Sequence, residues 1–79
     1  MKVEVFLYAS LAKYMPNKKI GKGMIMEINE GTKIVKHLKE MNIPANAAKL
    51  VFLNGIHAKG DEILKDGDRL GVFPPIGGG

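Results

Sequence analysis

The residues with the clearest chemical use are Gly77, Gly78 and Gly79, which put a carboxyl group on an unhindered glycine end. A carboxylate is ionised and inert at neutral pH. Conversion by ATP to an acyl adenylate turns it into a mixed anhydride that sulfide, a thiol or an amine can attack. An enzyme site for that step must be narrow to exclude water, and residues without a Cβ thread it where larger side chains clash. Pro74 and Pro75, followed by Ile76, form a stiff lead-in that directs the glycine end away from the body. From Pro75 to Gly79 the tail reaches at most about 16–18 Å, enough to enter a pocket beside a docked body.

Other candidate groups carry less chemistry. His37 and His57 are the two histidines, and neither has a second ligand at metal spacing. Asp61, Glu62, Asp66 and Asp68 lack the alternating ligands and closing glutamate of a calcium loop, so turn chemistry explains them better. Gly21-Lys22-Gly23 lacks the outer glycine spacing and the hydroxyl residue of a phosphate loop. With no cysteine there is no thiolate nucleophile, no disulfide framework and no Cys-based metal site. No nucleophile–base pair stands out, so the domain is expected to be no enzyme and to bind no cofactor or metal.

Composition sets the remaining bounds. Seventy-nine residues make one small domain whose core must hold without cross-links. A hydrophobic share of 46% with 25% charged residues is that of a soluble globular chain rather than a disordered one. No apolar run approaches the roughly 20 residues of a membrane span, and no secretory signal precedes the first strand, so a cytoplasmic location and no membrane partner are expected. The net charge of +4 gathers at Lys13, Lys18, Lys19 and Lys22. Of the interleaved aromatics that a nucleic-acid surface needs, that segment has Tyr14 alone, so it reads as a solvated loop.

The elements that must present the tail follow from periodicity. Val3, Val5 and Leu7 alternate with Glu4, Phe6 and Tyr8 in a first strand. A long connection from Ala9 to Gly23 follows, in which Ser10 is expected to cap a short helical turn through Leu11 and Tyr14. Met24 to Ile28 reads as a second strand with Met24, Met26 and Ile28 on one side. After the turn Asn29-Glu30-Gly31, Thr32 is the expected cap of a helix whose stripe is Ile34, Val35, Leu38 and Met41. Asn42 and Pro44 end it. Leu50 to Leu53 is a third strand, Asn54-Gly55 a hairpin turn, and Ile56 to Ala58 a short fourth strand. Asp61 to Leu64 is expected to form one helical turn, Lys65 to Asp68 a tight turn, and Arg69 to Phe73 the last strand.

One mixed sheet of about five strands with one main helix on one face fits this order: an α+β chain of the β-grasp, ubiquitin-like arrangement over residues 1–76, with residues 77–79 as a flexible tail. Strand parity puts Val3, Val5, Leu7, Val51, Leu53, Leu70 and Val72 under the helix. Phe6, Tyr8, Phe52, Arg69, Gly71 and Phe73 then point to the open face, which carries four of the five aromatic residues. If each ring exposes half of roughly 150–250 Å², the patch offers about 300–500 Å² of apolar area. That supplies roughly 8–12 kcal/mol before association costs. Ordering three glycines costs on the order of 3–6 kcal/mol, so a tail that inserts needs a body that docks.

The chain resembles the MoaD/ThiS family of ubiquitin-like sulfur carriers along essentially its whole length. The resemblance rests on Lys2-Val3-Glu4-Val5-Phe6-Leu7-Tyr8-Ala9, on Val51-Phe52-Leu53-Asn54-Gly55, on Asp66-Gly67-Asp68-Arg69-Leu70, and above all on Val72-Phe73-Pro74-Pro75-Ile76-Gly77-Gly78-Gly79. It implies that Gly79, preceded by Gly78, is adenylated by an ATP-using enzyme of the ubiquitin-activating type and converted to a thiocarboxylate. It also implies that Phe73 and Tyr8 are docking aromatics. The Phe-Pro-Pro exit is closer to the small subunit of molybdopterin synthase than to the thiamine branch, which implies the large synthase subunit as a partner. Gly77 stands where relatives often carry a larger residue, leaving thiamine and tRNA thiolation open as alternative pathways. A protein modifier joined through Gly79 to lysines shares the activation step, and an adaptor working through the aromatic face alone is a third reading.

Overall fold

Alternating aliphatic residues build the centre of the molecule, seen in a computed structural model that describes residues 1–15 and 23–75. Strand β1 (Lys2–Leu7) turns Val3, Val5 and Leu7 fully inward. Strand β5 (Arg69–Phe73) does the same with Leu70 and Val72. The two strands lie parallel, with Val5 opposite Leu70 and Leu7 opposite Val72. Around them β2 (Met24–Glu27), β3 (Leu50–Leu53) and β4 (Ile56–His57) complete a five-stranded mixed sheet in the order β2-β1-β5-β3-β4. One helix, α1 (Ile34–Glu40), covers one face of it. This is the β-grasp arrangement that the order of elements predicts.

The expected core is largely realised. Ile28, Ile34, Leu38, Met41 and Val51 join the strand residues, with Leu53 partly buried against them. The described part of the long connection is a 3-10 helix, Ala9–Tyr14, which adds Leu11, Ala12 and, just beyond it, Met15 to the core. The lysines 18, 19 and 22 and most of the Gly21-Lys22-Gly23 stretch lie outside the described residues, as do Ile76, Gly77, Gly78 and Gly79.

Four local expectations are corrected. Ser10 lies inside the 3-10 helix, whose cap position is Tyr8 with no side-chain hydrogen bond. Thr32 does not cap α1, because its hydroxyl donates back to the Asn29 carbonyl at 2.7 Å. The first N–H groups of the helix are taken instead by backbone carbonyls of the 58–64 segment, Ile34 N–H by Glu62 and Val35 N–H by Gly60 (3.0 and 2.9 Å). Asp61 to Leu64 therefore forms no helical turn. It runs extended, bridging Lys33 through Ile63, with Leu64 N–H bonded to the Thr32 carbonyl. Finally, Val35 is 54% exposed, whereas His37 is 5% exposed and occupies the core side of α1. A further 3-10 turn, Ala45–Ala47, follows the Asn42–Pro44 stop.

Candidate functional site

The open side of the sheet takes its pattern from register. Opposite pairs place Ile25, Glu4 and Arg69 in one row across β2, β1 and β5. The next row is Phe6, Gly71, Phe52 and His57. Leu50 and Phe73 stand opposite one another in the row after that, with Tyr8 just past the end of β1. Four aromatic side chains thus surround a residue that has none.

The rings are ordered by contact with one another. Tyr8 stacks on Phe73 with centroids 4.3 Å apart and planes 6° from parallel. Phe52 meets Phe73 edge-on at 5.8 Å, and Phe6 lies parallel to Tyr8 at 6.4 Å. These are the offset and T-shaped geometries that the ring quadrupole favours. His57 tilts against Phe52 at 5.7 Å. The aromatics are partly buried by each other and remain open to solvent, since α1 sits on the opposite face.

Charge lies at one end of this face. The Arg69 guanidinium stands 5.5 Å over the Phe6 ring, and its Nε is 3.6 Å from Glu4 Oε1. The hairpin turn fixes the same end: Asn54 Oδ1 accepts the Arg69 N–H at 2.9 Å, while Asn54 Nδ2 donates to Asp68 Oδ1 at 3.0 Å. Together these residues bound an open depression whose floor is Gly71, with Phe6, Tyr8, Phe52 and Phe73 as walls. Every residue that parity assigns to the open face, Phe6, Tyr8, Phe52, Arg69 and Phe73, is brought together there. Phe73 is also the last residue of β5, so Pro74 and Pro75 leave directly from the aromatic cluster. The carboxyl-bearing end beyond them lies outside the described residues.

Two glycines matter more to this face than sequence reasoning allowed. A Cβ on Gly23 would fall 2.5 Å from Glu4 Oε2 and 2.7 Å from Phe6 Cζ, so the chain entering β2 packs on the edge of the site. A Cβ on Gly71 would meet Tyr8 at an ordinary 3.6 Å, so that glycine keeps the floor open without being forced by strain. The visible signal for Gly71 was a glycine inside a strand, which often marks close approach by another group. Elsewhere, His37 Nε2 is buried with no hydrogen-bond partner among the described residues, and burial holds its pKa below the usual histidine range. Among those residues no group of three His, Cys, Asp or Glu is placed to hold a metal ion, and no helix is long and apolar enough to cross a membrane.

Comparison with known proteins adds to this geometry. Residues 11–79 match the model of the ThiS family. No curated protein matches the sequence. A protein described as molybdopterin converting factor, subunit 1, from Pyrococcus furiosus is 26% identical over 96% of this chain and 99% of its own, with a TM-score of 0.66. Small archaeal modifier protein 1 of Haloferax volcanii shares the fold at 19% identity and TM-score 0.73, covering 95% of this chain and 98% of its own. A Helicobacter pylori complex of subunits 1 and 2 of molybdopterin-converting factor contains a chain of the same fold, at 24% identity, TM-score 0.58 and full coverage of both chains.

Proposed function

The chain belongs to the ThiS family, and from that membership we propose that it is a sulfur carrier whose Gly79 carboxyl is adenylated and converted to a thiocarboxylate. The observation that carries this reading is the stacked Tyr8–Phe73 pair, which puts an apolar docking face at the residue from which the tail departs. An enzyme that grips the face receives the tail at a fixed point, and Pro74 and Pro75 limit where it can go. In the proposed step a Gly79 carboxylate oxygen attacks the α-phosphorus of ATP and pyrophosphate leaves. Hydrosulfide then attacks the acyl carbon, forming the C–S bond as the bond to AMP breaks and AMP and a proton are released.

The pathway we favour is molybdopterin synthesis, with a ubiquitin-activating-type enzyme and a large synthase subunit as partners. The likeness to the Pyrococcus protein and to the Helicobacter two-subunit complex supports it. Incubation with ATP, the source organism's activating enzyme and a sulfur donor is expected to exchange one oxygen for sulfur in the peptide ending at Gly79. An unchanged peptide mass in the presence of an activator that forms the adenylate would contradict the carrier reading.

The fold shared with the Haloferax modifier favours a second reading, conjugation through Gly79 to lysines. Cells carrying a tagged copy separate the two: a ladder of conjugates on immunoblots supports the modifier, and a single free band supports the carrier.

A further inference from the structure

We propose that Asn54 is a hydrolytic modification site, an asparagine set to lose its side-chain amide, and that the fold holds this reaction back through Asp68 and Arg69. Asn54-Gly55 is the one Asn-Gly pair in the chain, and it forms the tip of the β3–β4 hairpin with both residues exposed to water. In such a pair the Gly55 backbone nitrogen attacks Asn54 Cγ and gives up its proton, the Cγ–Nδ2 bond breaks and ammonia leaves. Water then opens the resulting succinimide at either carbonyl, which yields aspartate or its β-linked isomer. The balance is one water consumed and one ammonia released. Glycine puts no side chain in the way of the attacking nitrogen, and nothing lies within 4 Å of a Cβ built on Gly55.

The contacts of the amide oppose this. Oδ1 accepts the Arg69 N–H at 2.9 Å and Nδ2 donates to Asp68 Oδ1 at 3.0 Å, so both heteroatoms on Cγ are tied to the start of β5. The Asn54 N–H donates to the Arg69 carbonyl at 2.8 Å, which holds the backbone to the same strand. A departing Nδ2 must give up Asp68, and moving Cγ onto the Gly55 nitrogen draws Oδ1 away from Arg69. Asp68 is itself anchored, since its Oδ2 accepts the Lys65 N–H at 2.7 Å and its own N–H donates to the Lys65 carbonyl at 3.0 Å. Its charge makes the bond from Asn54 Nδ2 the stronger of the two. Once the amide is lost, a new carboxylate faces that of Asp68. The β-linked isomer also lengthens the backbone of a two-residue turn that sets the pairing of Phe52 with His57.

The test incubates the full chain at neutral pH and follows the amide-to-acid mass change in its tryptic peptide Leu50–Lys59, with isoaspartyl methyltransferase labelling for the β-linked product. A synthetic peptide of the same ten residues is the reference. The folded chain is expected to convert about 30-fold or more slowly than the peptide, the combined size of the two bonds. Asp68→Asn keeps one side-chain oxygen for the Lys65 N–H but turns an NH2 group toward Asn54 Nδ2. It is expected to speed conversion by about 10-fold or more, the size of one hydrogen bond to a carboxylate. Val3→Ala weakens the core far from the turn and is expected to convert at the wild-type rate. A peptide that keeps its amide overturns the site, and equal rates in chain and peptide overturn its protection by the fold. Asp68→Asn converting no faster than the wild type, or Val3→Ala converting as fast as Asp68→Asn, overturns the role of Asp68.

Discussion

Glu62 braces the loop before β5 from within through its carboxylate, which accepts the N–H of Lys59 (2.9 and 3.1 Å) and of Gly60 (2.8 Å). Those bonds keep its pKa below the usual glutamate range, Lys59 N–H contributing most. A lowered carboxylate pKa means that the stabilisation is full above the ordinary value and is lost as pH falls through the folded-state value. His37 acts in a higher window. Burial lowers its pKa, partly offset by Glu40, so the unfolded chain binds the proton more readily than the folded one. Stability therefore declines as pH drops from about 7 toward 5, through the ordinary histidine range. Thermal melts across pH are expected to show both phases. His37→Leu should flatten the upper one, and Glu62→Gln the lower one. A His37→Leu profile parallel to wild type between about pH 7 and 5 would refute the assignment. The sequence held the means to place His37 correctly. At about 100° per residue, positions 34, 37, 38 and 41 share one side and 35 does not, whereas the stripe read from the sequence included Val35 and left out His37.

Among the elements, the hairpin joining β3 and β4 sets the register of the site. Asn54 and Gly55 both adopt positive φ, 53° and 82°, the backbone of a type I′ turn. Nothing lies within 4 Å of a Cβ built on Gly55, so Gly55→Ala is expected to cost about 1–2 kcal/mol through backbone strain alone. Asn54→Ala loses the bonds to Arg69 N–H and Asp68 and is expected to cost about 1–3 kcal/mol in urea titrations, whereas Asn54→Gly recovers the φ term. Equal stability of Asn54→Ala and Asn54→Gly would mean that backbone conformation matters little there. Period-two alternation made the strands and their inward faces legible, and Asn-Gly announced this turn. The helix start was not legible, because its N–H groups are met by carbonyls of Gly60 and Glu62, some 25 residues on in sequence, rather than by a side chain at Thr32. The same long-range pairing draws Asp61 to Leu64 out of the helical turn that their local sequence suggests.

The whole molecule depends on β1 and β5, the first and last strands, lying side by side. Parallel pairing of two strands so distant in sequence leaves no local mark, and the element order announced only a mixed sheet. Leu70 is fully buried at that seam, opposite Val5 and Leu53, and Leu70→Ala is expected to cost about 2–5 kcal/mol, a large share of the stability of so small a domain. A loss below about 1 kcal/mol would show that the seam is not the centre of the fold. The aromatic face was legible because parity alone separates Phe6, Tyr8, Phe52 and Phe73 from the aliphatic set. The depression over Gly71 was not, since its shape depends on how the rings stack. On the proposed function, this architecture joins an aromatic face through Pro74 and Pro75 to an end whose carboxyl is activated. That claim is tested most directly by ATP–pyrophosphate exchange with the activating enzyme, comparing the native chain with one extended by a single phenylalanine after Gly79. Exchange with the native chain and none with the folded, extended chain is the expected result, and equal exchange by both would contradict the account.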